Sequence, residues 1–164
     1  MMPKIEQRKC SLFLLLGLVV SLVIVACTST HESSTSAQLS DETESYIQES
    51  NDILDRVTEI ALEAAALYKI RDKLSKDKIN QTFADYDREY DQLLNRFARL
   101  ECPPECEKMQ EHALSGISYF QQEVKELGVA YATGGSLDKA KEYYNKGQSE
   151  FLKVAQEMDK LRYP

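Results

Sequence analysis

Apolar positions along residues 41–161 recur at helical spacing in four successive runs, separated by short polar or Gly/Pro breaks. In the first, Tyr46, Ile53, Ile60, Leu67 and Leu74 repeat every seven residues. A second row, Ile47, Leu54, Ala61 and Tyr68, lies beside it, and Val57 and Ala64 fill the other flank. Residues on such rows share one face of an α-helix, so the pattern predicts an amphipathic helix of about 30 residues. Ser40 or Asp41 supplies its N-cap, and acidic residues fill the first turn, where the helix dipole favours them. The second run, Phe83, Tyr86, Tyr90, Leu93, Phe97 and Leu100, alternates steps of three and four. Its phase does not continue the first, because the next seven-residue step from Leu74 lands on Gln81. The polar stretch SKDKINQT at 75–82 therefore predicts a turn, with Ser75 as N-cap and Leu74 with Ile79 as a hydrophobic staple.

The third run is Cys106, Ala113, Ile117, Phe120, Val124, Leu127 and Tyr131, and it stops at Thr133-Gly134-Gly135, a strong helix-end signal. Ser136 then caps a fourth helix whose stripe runs Leu137, Ala140, Tyr144, Gly147, Phe151, Val154, Met158, Leu161 without a miss. Helices of similar length with short connections predict an all-α, antiparallel up-down-up-down four-helix bundle with coiled-coil-like heptad packing. The alternative is a three-helix core on which the first helix docks loosely.

Between the second and third stripes the chain reads ECPPEC. Pro103 disfavours helix at Cys102, and Pro104 suits the first turn of the following helix, so the motif is the corner between the two. A disulfide between Cys102 and Cys106 is expected there as a structural clip, with free thiols or thiol chemistry as the alternatives. Closing so short a loop is worth about 2 kcal/mol in the chain-entropy account.

Charge and composition remove several function classes. The net charge of −7 argues against nucleic acid as a partner. The two histidines, His31 and His112, exclude a di-iron site built on paired Glu-x-x-His motifs. A c-type haem needs Cys-x-x-Cys-His, which CPPEC followed by Glu107 does not supply. Two cysteines without a second pair fall short of a structural zinc site. No cofactor and no metal ligand are expected, and no Ser-His-Asp or Cys-His arrangement can be assembled, so the expectation is a protein that is not an enzyme. The acidic clusters at 41–44 and 85–91 read as solvated helix faces. Gly147, on the apolar seam between Tyr144 and Phe151, costs about 1 kcal/mol relative to Ala. It marks either a close helix approach or a small cavity beside two rings.

The segment before the helices has a different organisation. Lys4, Arg8 and Lys9 precede 15 uncharged, mostly apolar residues, Leu12 to Ala26. That run is long for a signal-peptide core and short for a membrane span, which takes about 20 residues. It ends Ile24-Val25-Ala26-Cys27. Charge, apolar run and box in this order resemble the signal peptide and lipobox of bacterial membrane lipoproteins; the globular part shows no such likeness. The resemblance implies cleavage before Cys27 and acylation of that cysteine, so that Cys27 is the lipid attachment site and Cys10 belongs to the removed segment. It places the remainder outside the cytoplasm, held by lipid to a bacterial membrane. The absence of aspartate at Thr28 leans towards an outer membrane where the organism has one.

The implied organisation is a signal peptide over 1–26, the lipidated Cys27 with a Ser/Thr-rich tether over 27–40, and a helical domain over 41–164. Cleavage removes two net positive charges, taking the chain from −7 to −9, a body that an anionic lipid surface repels. Thirteen coil residues span about 20 Å, and His31 lies among them without partners. The expected partners are membrane lipid, through acylated Cys27, and another envelope protein. The functional expectation is a non-enzymatic interaction or adaptor module, with a ligand-binding or sensory bundle at a Gly147 cavity as the alternative.

Overall fold

A computed structural model describes residues 39–67 and 70–163; Cys10, Cys27, His31, the lipobox and most of the tether lie outside them. Four helices make up the described part: α1 (Asp41–Leu67), α2 (Lys76–Ala98), α3 (Glu107–Thr133) and α4 (Asp138–Arg162). Short 3-10 turns, Arg71–Lys73 and Pro104–Cys106, interrupt the first two connections, and the described residues contain no strand. The fold is an all-α helical bundle.

The helix ends are set by the residues that the pattern singles out. Ser40 Oγ accepts from the Thr43 amide at 3.2 Å and so caps α1. Ser75 Oγ accepts from the Lys78 amide at 3.2 Å and caps α2. Gly134 closes α3 in the left-handed region, φ 71°, where a side chain would be strained. Ser136 Oγ accepts from the Asp138 amide at 3.1 Å at the head of α4. The first helix differs from expectation. It stops at Leu67 rather than running to Leu74, and residues 76–82, expected as a turn, form the first turns of α2. A strong cap at Ser75 starts the second helix there, and the break moves upstream onto the 3-10 turn.

Successive helices run antiparallel. Arg56 of α1 meets Glu89 of α2, and Glu63 of α1 lies against Tyr86 of α2. Phe83 and Asp87 of α2 meet Tyr131 and Lys125 of α3. His112 of α3 meets Glu150 of α4, while Glu126 meets Lys139. In each pair the numbers rise on one helix as they fall on the other, giving the up-down-up-down order.

The predicted stripes are the core: Ile53, Val57 and Ile60 of α1, Tyr90 and Phe97 of α2, Ile117 and Val124 of α3 and Val154 of α4 are essentially inaccessible to solvent. Each apolar side chain of this kind contributes about 1.5–3 kcal/mol by leaving water. Helix α3 is more buried than one stripe allows. Its buried residues fall on two rows, Met109, Ala113, Gly116, Phe120, Glu123, Leu127, Ala130 and Ile117, Gln121, Val124, Gly128, Tyr131. The first row carries the contacts to α4 and the second those to α2. Helix α3 is therefore the hub.

The closest seam is α3–α4, and glycines make it so. A side-chain carbon at Gly147 would meet the Phe120 ring at 3.0 Å, and one at Gly116 would meet Phe151 Cε1 at 2.5 Å. Each helix thus sets a phenylalanine over the other's glycine, and the two rings meet edge to face with centroids 5.0 Å apart. The cavity anticipated beside Gly147 does not exist: Phe120 fills the space that the missing side chain leaves. Gly128 plays the same part under Phe83, with a side-chain carbon there 2.9 Å from Phe83 Cβ.

Candidate functional site

Two places hold polar chemistry inside the bundle. The first is the ECPPEC corner. Pro103 is extended, the Cys106 amide donates to its carbonyl at 2.8 Å, and the 3-10 turn leads into α3. That turn carries Cys106 onto the core face, with no exposure, while Cys102 stays half-buried and turns its thiol back to the Pro103 carbonyl at 3.4 Å. The expected Cys102–Cys106 disulfide is not formed; both are free thiols. The corner is held instead by packing and by a hydrogen bond from α1. Thr43 Oγ1, wholly buried, donates to Glu105 Oε1 at 2.6 Å and draws that carboxyl below its usual range. The Tyr46 phenol sits against Cys102 and Ser50, and its proton is held more tightly than usual, chiefly by burial.

These surroundings disarm the thiols. Burial first, then the neighbouring Cys102 and Glu105, push Cys106 up to about 11. Burial also raises Cys102; the nearby Tyr46 phenol works against this, and Glu107 and Glu105 add to it. A nucleophilic or redox-active cysteine needs the opposite, a thiolate stabilised by nearby positive charge.

The second place is the centre of the bundle. Glu123 of α3 is 5% exposed, and its Oε2 has no hydrogen-bond partner. Burial pushes its carboxyl up to about 8. The charges of Glu123 act on two phenols, Tyr90 from α2 and Tyr144 from α4, both themselves raised chiefly by burial. The Tyr90 hydroxyl donates to the Val57 carbonyl at 3.0 Å, and the Tyr144 hydroxyl accepts from Gln148 Nε2 at 2.7 Å. Two residues away, on the row facing α2, Gln121 shows the satisfied alternative, donating from Nε2 to Asp91 Oδ1 at 2.8 Å and Asp87 Oδ1 at 2.5 Å.

Sequence reasoning missed Glu123. Its signal was available in the spacing, because Phe120, Glu123 and Leu127 follow the same three-four alternation as the apolar stripe. His112 is partly exposed, with Nδ1 2.7 Å from Glu150 Oε2. Among the described residues no group of three His, Cys, Asp or Glu side chains could hold a metal ion. No helix among them is long and apolar enough to cross a membrane. Comparison of the chain with protein-family models, with curated proteins and with solved structures finds no match.

Proposed function

We propose that this chain is a lipid-anchored lipoprotein of a bacterial envelope, with a helical bundle that serves as a non-enzymatic interaction module outside the cytoplasm. The observation that carries the reading is Cys27, directly after Ile24-Val25-Ala26 at the end of a charged-then-apolar leader. Two or three acyl chains on that residue would hold the protein firmly, since each buried CH₂ contributes about 0.8 kcal/mol. The tether would keep the bundle within about 20 Å of the surface, and the charge of the mature chain would push its folded body away from anionic lipid. The poorly nucleophilic thiols of the corner support a non-enzymatic role. The expected partner is another envelope protein, and the filled space at Gly147 removes the basis for a ligand cavity there.

The test is metabolic labelling with an alkyne palmitate analogue in a bacterial host, comparing wild type with Cys27→Ala. Wild type should take up label and sediment with membranes after a high-salt wash. The variant should lose the label and retain the longer, unprocessed leader. Equal labelling of the two proteins overturns the assignment of Cys27.

A further inference from the structure

Helix α4 buries the stripe that runs from Ala140 through Gly147 to Met158 and turns its opposite face to solvent. The chain is 29% charged, yet the middle of that outer face carries no charge. Asn145, Ser149, Leu152 and Gln156 are exposed along it, with Gln148 and Ala155 half-buried at its edge. Leu152 is 52% exposed, a large apolar side chain open to water near the centre of the strip. The charges beside the strip are paired within α4: Glu142 with Lys146 at 2.7 Å, Glu150 with Lys153 at 2.7 Å and Glu157 with Lys160 at 2.6 Å. The two charges in line with it are not. Lys141 closes one end and Asp159 the other, both exposed, and among the described residues neither has an ion-pair partner.

The placing of these two charges is symmetric. Lys141 and Asp159 stand equally far along the helix from Glu150, so they have opposite sign at equal distance from one point. An antiparallel copy of α4 laid on this face, with a two-fold axis at Glu150, brings Lys141 of each copy level with Asp159 of the other. The same register sets Leu152 level with Gln148 and Asn145 level with Ala155. A surface that complements itself under a two-fold rotation is what an isologous dimer requires. We propose that the outer face of α4 is an interface with a second copy of this chain, paired antiparallel about Glu150, with Leu152 near its centre and a Lys141–Asp159 ion pair at each end.

A single helix face covers less than the about 800 Å² per partner of a standard interface, which makes this a weak dimer in dilute solution. Two copies that share a membrane meet at a higher effective concentration, which favours the pair. Antiparallel copies in one membrane lie with their axes along its surface, so that each α1 start stays within the about 20 Å of its tether. These two steps rest on the lipid anchor proposed above; the register of the α4 pair does not.

Two measurements test this, at exposed positions where a substitution leaves the core untouched. In the first, a photo-crosslinking benzophenone side chain replaces Ser149 in the full chain, co-expressed in two epitope-tagged forms in a bacterial host. Irradiation should join the two tagged forms, and the same side chain in place of Leu62, exposed on α1, should not. In the second, sedimentation equilibrium of the mature protein in neutral detergent follows the charges. Lys141→Glu and Asp159→Lys should each weaken dimerisation about tenfold, because the ion pairs at both ends become repulsive, and the double variant should restore it. Added salt should weaken the wild-type dimer. Equal joining from Leu62, joining from position 149 only to a different protein, or a double variant no stronger than the single ones overturns the proposal. A chain that fails palmitate labelling yet dimerises in this way overturns the anchor and leaves the α4 interface standing.

Discussion

Gly116→Ala is the sharpest probe of the α3–α4 seam, because one methyl group there sets two known effects against each other. Alanine gains about 1 kcal/mol over glycine in a helix interior. The added carbon, however, would lie 2.5 Å from Phe151 Cε1 and 3.4 Å from Glu150 Cβ. Ordinary carbon contacts are about 3.5–4.0 Å, so the ring must withdraw by about an ångström. Phe151 cannot do so freely, since its ring packs edge to face on Phe120 at 5.0 Å. Overpacking of this kind costs about 1–3 kcal/mol, and weakening the ring pair adds about 0.5–1.5 kcal/mol. The balance is a net loss of about 1–2 kcal/mol. Gly147→Ala meets Phe120 at 3.0 Å and needs only a few tenths of an ångström, so gain and cost nearly cancel. Urea unfolding of the mature proteins, followed by far-ultraviolet circular dichroism, measures both. At an m-value of about 1–3 kcal/mol/M the Gly116→Ala midpoint should fall by about 0.5–1 M. The loss should shrink in a Phe151→Leu background, where the ring is absent. A Gly116→Ala protein as stable as wild type, or one whose loss is unchanged by Phe151→Leu, would refute the argument that Phe151 occupies the glycine's space.

The other predictions concern the surface network and the corner. Arg56 joins three carboxylates on two helices, so Arg56→Ala should cost about 1 kcal/mol at low salt and clearly less at 1 M salt; a salt-independent loss in urea unfolding would point to packing instead. At pH 7.5 a thiol reagent should modify half-buried Cys102 faster than fully buried Cys106. Both cysteines should react after denaturation without reductant, and a count of zero there would restore the disulfide.

What was legible in the sequence was periodicity. Tyr46, Ile53 and Ile60, or Ala140, Tyr144 and Val154, announce one buried face each, and those faces are buried. Caps and breaks at Ser75, Pro104 and Gly134 were equally readable, because each acts on the backbone within a few residues of itself. The extent of α1 was misjudged for a related reason: Leu74 fits the heptad, but a heptad match says nothing about whether the backbone stays helical to reach it. Cys102 and Cys106 stand as free thiols in the structure, and a spacing of four residues does not fix which way the two side chains leave the turn.

The rest depended on how many neighbours each helix has, which a single stripe does not state. Gly116 and Gly128 lie off the main α3 stripe, yet both are buried because α3 is covered on two sides. Once α3 is the hub, its glycines become the places where rings from α4 and α2 settle, and any long side chain on the same rows must be dry. Gln121 meets that condition with hydrogen bonds to Asp87 and Asp91 across the α2 seam. Glu123, on the α4 side, has no such neighbour for Oε2 and can meet it only by keeping its proton. The hub position that makes the bundle compact thus also sets packing against charge at Glu123.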